Sequence, residues 1–396
     1  MQIGLVGAPS SGKSTFFNAA TLLNAPMASY PFTTIEPNKG MGFVRVKCID
    51  KEFGVQCNPR TGYCKNGTRF VPIEIIDVAG LVPGASEGKG MGNQFLSDLS
   101  KADCLIHVVD ASGSTNDKGE SVGAGSFDPV NFVEFLEKEI DAWFLGIIKK
   151  NWVKFGKLPV DSKAKMLEAM QQNLSGIGAT DKTIEHALIK GQLAEKKFFQ
   201  WSEQDKETFA TNLRQSSKPI VIAANKIDLP GAEKNAERIQ KKFPHLKVFG
   251  CSAVSELVLK RAAKEGAIEY EPGNKTFAEL KQVDEKQKKG IEYIKTNVLE
   301  KFGSTGIQQI LDTTVFDILK YFAVFPAGGK LQDQHGNYIP DCYLMPPEST
   351  ALDFAFRLHT DIGNGFIRAI DSKTKMVVGK EHKLKHRDAI EIVFKG

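Results

Sequence analysis

Residues 2–18 read QIGLVGAPSSGKSTFFN: a short apolar strand, a glycine-bounded loop and the start of a helix. The loop fits the pattern Gly-x-x-x-x-Gly-Lys-Ser at Gly7, Gly12, Lys13 and Ser14. Glycine at both ends permits backbone angles and a close approach that a side chain would block, so the main chain of Ala8, Pro9, Ser10 and Ser11 can wrap a phosphate. The helix that opens at Gly12 or Lys13 and continues through Thr15 adds the positive end of its dipole. Lys13 can reach the outer phosphates, and the Ser14 hydroxyl is placed to ligate a magnesium ion bridging them. By itself this loop leaves ATP, GTP and small-molecule phosphoryl acceptors open.

Three further stretches narrow the choice. Residues 28–40, ASYPFTTIEPNKG, carry two prolines and a Thr-Thr pair that forbid regular helix, which suits a nucleotide-sensing loop. Of its hydroxyls, Thr34 rather than Thr33 is expected to close on the magnesium when a γ-phosphate is present. An apolar strand then delivers Asp77-Val78-Ala79-Gly80: Asp77 can hold magnesium through a water, and the Gly80 amide can contact the γ-phosphate. Leu81 follows, and its isobutyl group cannot orient an attacking water, so that group must come from elsewhere.

The most discriminating motif is Asn225-Lys226-Ile227-Asp228, after the strand-like Pro219 to Ala224. A carboxylate at Asp228 accepts hydrogen bonds from the N1–H and 2-amino group of guanine, and adenine offers neither. Adenine there would leave a partly buried carboxylate unpaired, at a cost of about 1 to 3 kcal/mol. The Lys226 stem can cover the base, and Asn225 can tie its loop back to the phosphate loop. A following strand, Lys247 to Gly250, ends at Cys251-Ser252-Ala253, and the amides of Ser252 and Ala253 are expected to read guanine O6.

The 396 residues suffice for two or three domains, and 25% charge with 41% hydrophobic residues marks a globular chain. No apolar run approaches the roughly 18 residues needed to cross a bilayer, and the chain starts directly on the phosphate-loop strand, so no signal peptide, no membrane role and a cytoplasmic location are expected. The net charge of +5 permits an RNA or ribosome surface as partner without demanding one. Six irregularly spaced cysteines fit a reducing compartment. Cys48, Cys57 and Cys64 fall in an insertion between strand-like Met41 to Val46 and Phe70 to Ile76; a Cys-x6-Cys spacing with no second pair is a poor zinc signal, and structural or incidental cysteines are expected.

Beyond the buried strand Ala102 to Asp110, with His107 as a satisfied core histidine, the Gly/Ser-rich residues 111–126 read as a mobile loop. Asp128-Pro129 caps a long amphipathic helix carrying Phe132, Leu136, Ile140, Trp143 and Ile147, and the pattern stays helical to about Ser216, with Ser202 opening another helix. A capping box at Thr276 to Glu279 predicts a helix with Phe277, Leu280, Ile291, Ile294 and Val298 on its apolar face. Gly303-Ser304 breaks it before a helix carrying Ile307, Ile310, Leu311 and Val315. The tail from Tyr321 alternates strand-like pieces around one short helix capped by Ser349, an order that suits a β-grasp module. Lys373 to Arg387 is locally basic.

With these residues in hand the chain resembles the YchF family of Obg-related GTPases in its archaeal form. The resemblance runs over essentially the whole length through GAPSSGKSTFFN, YPFTTIEPN, DVAGLVPGAS, NKID and PAGGKLQDQHG. It implies an α/β fold: a P-loop GTPase domain with a mainly parallel sheet (1–128 and 217–275), an all-α helical insertion (129–216), a helical connection (276–318) and a C-terminal β-grasp, ubiquitin-like TGS domain (319–396). It also implies ribosomal subunits or other RNA-bearing assemblies as partners of a monomer. Bacterial and eukaryotic relatives usually end N-K-x-D in glutamate and use ATP, whereas Asp228 restores the guanine reader. Potassium stays an open second cation beside magnesium, because Ser10 stands where the family more often has an asparagine that helps hold it. The leading expectation is a magnesium-dependent GTP-hydrolysing switch, with Lys13, Thr34 and Gly80 at the reacting phosphate and Ser14, Thr34 and Asp77 at the metal. Its intrinsic rate is expected near the unassisted regime of about 10⁻⁴ to 10⁻³ s⁻¹. The alternatives are an ATPase of the same family and an RNA-binding adaptor in which nucleotide only sets domain geometry.

Overall fold

β1 (Gln2–Val6) is apolar on both faces because it becomes the centre of a parallel sheet, where neither face meets water. The computed structural model describes residues 1–21, 38–78, 92–156, 163–329, 331–333 and 335–395. Thr33, Thr34, Gly80 and Leu81, on which the sensing-loop expectations rest, lie outside the described residues.

By contact the described chain divides into two units, residues 1–21, 38–40 and 74–310 in the first and 41–73 and 311–395 in the second. In the first unit β1 leads to α1 (Lys13–Thr21). β2 (Lys39–Lys47) and β4 (Thr68–Asp77) each run through both units, with the short β3 (Tyr63–Lys65) between them in sequence. Then come α2 (Gly92–Lys101), β5 (Cys104–Asp110), α3 (Val130–Gly156), α4 (Lys163–Leu174), α5 (Asp181–Lys190), α6 (Glu203–Ser217), β6 (Ile220–Asn225), α7 (Ala232–Lys242), β7 (Lys247–Cys251) and α8 (Ala253–Lys264). The strand order is β4-β1-β5-β6-β7, and each of these pairings is parallel. Parallel pairing directs the carboxyl ends of β1, β4, β5, β6 and β7 to one rim, and the phosphate loop, Asp77, Asn225 to Asp228 and Ser252-Ala253 stand at the ends of β1, β4, β6 and β7.

The helices α3 to α6 share one hydrophobic cluster with the sheet: Val133, Leu136, Ile140, Phe144 and Phe209 belong with Val6, Ile76, Leu105, Val109 and Ile222. The insertion is therefore continuous with the nucleotide-domain core. Ser202 caps α6 through the amide of Asp205, as its position before a helical pattern predicts. Arg214, on α6, is buried and bonded to Asp141 at 2.7 Å and Glu137 at 2.8 Å on α3.

Two local expectations fail. Ala278–Glu279, read as the first turn of a helix, instead forms β9, antiparallel to β8 (Ile268–Glu269), and Leu280 is exposed. The helix, α9 (Glu285–Ile294), opens at Asp284, whose carboxylate accepts the amide of Gln287; a closer cap outcompetes the Thr276 capping box. α9 continues through a π turn (Lys295–Leu299) into α10 (Glu300–Phe302), and the chain breaks at Gly303 before α11 (Ile307–Thr313), as predicted. At the start of the Gly/Ser-rich residues 111–126, Ser112, Ser114 and Thr115 donate to the buried carboxylate of Asp110.

The second unit contains a mixed sheet of order β11-β10-β14-β12-β13, from β10 (Phe322–Pro326), β11 (Tyr343–Met345), β12 (Phe366–Asp371), β13 (Val377–Val378) and β14 (Asp388–Phe394). Only β10 and β14 pair in parallel. α12 (Ala351–Leu358) lays Ala351 and Phe354 on this sheet against Val324, Ala369 and Ile390, with the short α13 (Thr360–Asn364) after it. The helix is capped by Thr350, in a reciprocal box with Asp353, and not by Ser349, whose hydroxyl donates to the Pro346 carbonyl. Residues 41–73, placed by sequence in the nucleotide domain, group here by contact.

Among the described residues no helix is long and apolar enough to cross a membrane. The α3–α6 seam makes a stability prediction. Arg214→Ala leaves Glu137 with His245 and Asp141 with Thr211, and because these contacts remain and Asp141 is 26% exposed the loss falls at about 2 to 4 kcal/mol, read as a lower denaturant midpoint at unchanged slope.

Candidate nucleotide site

The carboxyl rim of the first unit holds a cleft of about 580 Å³ whose lining includes Gly7, Ala8, Pro9, Ser10, Gly12, Lys13, Ser14 and Thr15 from the β1–α1 loop. Asn225, Lys226, Asp228 and Leu229 line it after β6, and Ser252, Ala253 and Val254 after β7. Phosphate-loop and N-K-x-D residues nearly 220 positions apart in sequence thus share one cavity.

Asn225 makes the junction. Its side chain is 3% exposed; Nδ2 donates to the Ser11 carbonyl at 2.9 Å and Oδ1 accepts the Ala253 amide at 3.0 Å. One amide group therefore fixes three loops. It also explains the second glycine: Gly12 has φ of +90°, and a β-carbon there would sit 2.2 Å from Asn225 Nδ2. At Gly7 a β-carbon would approach the Val108 carbonyl to 2.6 Å, because the loop lies against β5. Ser10 and Lys226 are left-handed non-glycine residues, with φ of 60° and 61°, an arrangement that persists where surrounding bonds over-determine it.

Those bonds are visible. Lys226 Nζ donates to Asp110 Oδ2 at 2.8 Å, so its stem lies along the cleft with its charge anchored below. Burial of Asp110 works against ionisation, yet the hydrogen bonds from Lys226, Ser112, Ser114 and Thr115 outweigh it and hold the carboxyl below the usual aspartate range. The sequence reading missed this hub; its one signal was an aspartate at the carboxyl end of an apolar strand. Ser10 Oγ donates to the Gly119 carbonyl at 2.9 Å, which commits that hydroxyl to the protein.

Lys13 Nζ is held by Asp77 Oδ1 and by the Val78 carbonyl at 2.8 Å. The Ser14 hydroxyl lies in the cleft at the start of α1, and the Asp77 carboxylate stands beside Lys13. Both are hard oxygen donors of the kind magnesium takes, so the residues fit the ion.

At the other end, Asp228 faces the cleft and Oδ2 accepts a hydrogen bond from the Tyr293 hydroxyl on α9 at 3.4 Å. Burial and the Asp228 charge raise the Tyr293 pKa, which keeps that hydroxyl a donor. The two amides expected to read guanine O6 are both engaged: Ser252 N–H donates to the Thr305 carbonyl at 2.9 Å and Ala253 N–H to Asn225. Behind them, buried Glu256 accepts from Tyr270 at 2.8 Å and from Thr305 at 2.5 Å, bracing the loop. His107 is buried in β5, where burial pulls its pKa down to about 3 and keeps the ring neutral; its Nδ1 has no partner, so it is a core histidine but not a satisfied one.

Comparison with known proteins agrees with this geometry. The family described as 50S ribosome-binding GTPase matches residues 2–130, the Obg-like GTPase YGR210-like, G4 motif-containing domain matches 223–328, and the TGS domain matches 322–394. A GTP-binding protein of Methanocaldococcus jannaschii is 44% identical over 393 residues, covering 99% of this chain and 98% of its own. The crystal structure of a GTP-binding protein from Pyrococcus horikoshii, 36% identical, superposes with a TM-score of 0.78 over 100% of both chains. The Schizosaccharomyces pombe YchF GTPase shares the fold at 18% identity, with a TM-score of 0.60 over 99% of this chain and 97% of that one. With the phosphate loop and the guanine-reading motif lining one cleft and these relatives matching end to end, the chain belongs to the YchF family of Obg-related P-loop GTPases that carry a C-terminal TGS domain.

Proposed function

We propose that this GTPase is a magnesium-dependent switch that discriminates guanine through Asp228, hydrolyses GTP slowly on its own, and reports its nucleotide state to a ribosomal subunit or another RNA-bearing assembly. The observation that carries the reading is the single cleft joining Gly12 and Lys13 to Asp228. The phosphate-loop main chain and Lys13 hold the phosphates, while Ser14 and Asp77, together with Thr34, hold the magnesium, which supplies charge neutralisation at the β- and γ-oxygens. Lys13 exchanges its present partner Asp77 for phosphate oxygens, releasing that carboxylate towards the metal. Asp228 accepts from guanine N1–H and the 2-amino group, the Lys226 stem covers the ring, and the first turn of α8 at Ala253 and Val254 meets O6.

Slow turnover follows from what the cleft offers. Among the described lining residues there is no glutamine, arginine or histidine to orient water or neutralise transition-state charge. The Ser10 hydroxyl donates to the Gly119 carbonyl and keeps its lone pairs, so potassium stays an open second cation beside magnesium. Support for an RNA-bearing partner lies in the TGS module. Lys375, Lys380 and Lys385 are exposed and make no ion pair among the described residues, and Met376 and, on the edge strand β13, Val377 are exposed beside them.

Four measurements test the reading. In a direct binding titration the protein prefers GTP to ATP, and Asp228→Glu narrows that gap; equal affinities in the unaltered protein would defeat the assignment. Gly12→Ala, which drives a methyl group into Asn225, abolishes nucleotide binding while the circular dichroism spectrum is retained. Lys13→Ala lowers single-turnover hydrolysis by about 10²- to 10³-fold, against an intrinsic rate of about 10⁻⁴ to 10⁻³ s⁻¹. Cosedimentation with ribosomal subunits is stronger with a non-hydrolysable GTP analogue than with GDP, and becomes indifferent to nucleotide in Lys13→Ala; indifference in the unaltered protein would favour an adaptor.

A further inference from the structure

The segment between β2 and β3 gathers chemistry that the nucleotide site does not use. Cys48 follows β2, Asp50 opens a 3₁₀ turn, Cys57 lies in the connecting loop and Cys64 sits inside β3. Their donor atoms, three sulfurs and one carboxylate oxygen, all lie within 4.8 Å of one another. Cys48 and Cys57 place their Sγ atoms 3.7 Å apart as free thiols. That is far beyond the roughly 2.05 Å of a disulfide. It matches the separation of about 3.7 to 3.8 Å that two sulfurs acquire when each lies about 2.3 Å from one tetrahedral zinc. Asp50, Cys48 and Cys57 are buried at 1%, 2% and 4% exposure, and Cys64 is half-buried, so the set is largely shielded from solvent.

A second feature points to an anionic centre here. Arg69 is fully buried, and among the described residues no carboxylate pairs with it: Nη2 donates to the Ile339 carbonyl at 2.6 Å, and the guanidinium lies 5.8 Å from the Phe325 ring centroid. Its Nε has no hydrogen-bond partner. A buried guanidinium needs a counter-charge, and the groups around Arg69 that can supply one are the sulfurs of Cys48, Cys342 and Cys57, of which Cys48 and Cys57 belong to the cluster. The Asp50 amide also donates to the Cys48 sulfur, the outer bond that orients a metal-bound thiolate.

We propose that Cys48, Cys57, Cys64 and the Asp50 carboxylate form a structural zinc site. Three soft thiolates with one carboxylate exclude magnesium and calcium, and four protein ligands leave no open position for catalysis. Binding replaces the thiol protons, which leave to solvent; the resulting centre is a dianion, and Arg69 offsets one of its charges. Its consequence is mechanical. The loop between Asp50 and Cys64 has no regular secondary structure after the 3₁₀ turn, yet the Asn58 amide donates to the Tyr338 carbonyl at 2.8 Å, the Arg60 amide to the Pro340 carbonyl at 3.0 Å, and the Arg60 guanidinium pairs with Asp341. The metal closes the base of that loop and so fixes its seam with residues 338–341.

The test uses the full-length chain, isolated without a metal-binding tag and kept reduced. Elemental analysis finds one zinc per chain. Exchange with Co²⁺ gives the visible bands of a tetrahedral site and a near-ultraviolet thiolate-to-cobalt charge-transfer band. Cys57→Ser and Cys64→Ser each weaken cobalt binding more than tenfold and diminish the charge-transfer band; Asp50→Asn weakens binding but retains the band, and Cys104→Ser, in β5, changes neither. Zinc-selective chelation in excess Mg²⁺ lowers hydrogen-exchange protection at 53–62 and 338–341 while GTP affinity, read on the same samples, persists and shows that the nucleotide domain is folded. Absence of both zinc and cobalt–thiolate bands in the reduced intact protein overturns the proposal, as do bands unaltered in Cys57→Ser and Cys64→Ser or a Cys48–Cys57 disulfide in the fresh, metal-free chain.

Discussion

The side-chain amide of Asn225 is the contact on which the site depends. Its donor end holds the phosphate loop at Ser11 and its acceptor end holds the loop after β7 at Ala253, so the distance between base reader and phosphate cradle is set by one rigid planar group. A buried amide bonded at both ends is costly to disturb, because either partner released would be an unpaired polar group away from water. Gly12 is constrained by the same group: the phosphate loop lies so close to Asn225 that no side chain fits between them.

Around that junction the polar groups brace one another instead of standing free. Asp110 gathers four donors beneath the cleft and ends on Lys226, which converts a Gly/Ser-rich stretch into a fixed wall. Glu256, Tyr270 and Thr305 brace the loop after β7 from behind. The Ser252 and Ala253 amides are already bonded within this frame, while Asp228 and Val254 line the cleft beside them. The hydrocarbon core repeats the pattern on a larger scale, since α3 to α6 share one cluster with the sheet and brace the rim from which these loops emerge.

Much of this was legible beforehand because it is written in local pattern. The phosphate loop, Asp77 and N-K-x-D each follow a strand, and a parallel sheet sends all those strand ends to one rim, so order along the chain predicted a shared cleft. Misreadings arose where two local signals competed. Thr276 and Asp284 are both acceptable helix caps, and a β8–β9 pairing, which needs residues ten positions away, decided for the second. Ser349 and Thr350 are likewise adjacent candidates, separated only by which hydroxyl finds the Asp353 amide.

By itself the sequence determined the fold class and the family, since glycine conformation, strand periodicity and carboxylate placement act over a few residues. Tertiary structure alone decided which polar groups brace the cleft and which amides are already taken. It also decided that Cys48, Asp50, Cys57 and Cys64 converge although their spacing resembles no metal motif. Spacing along a chain reports proximity only within one regular element; where a loop doubles back on a strand, packing sets the distances, and the sequence carries no ruler for it.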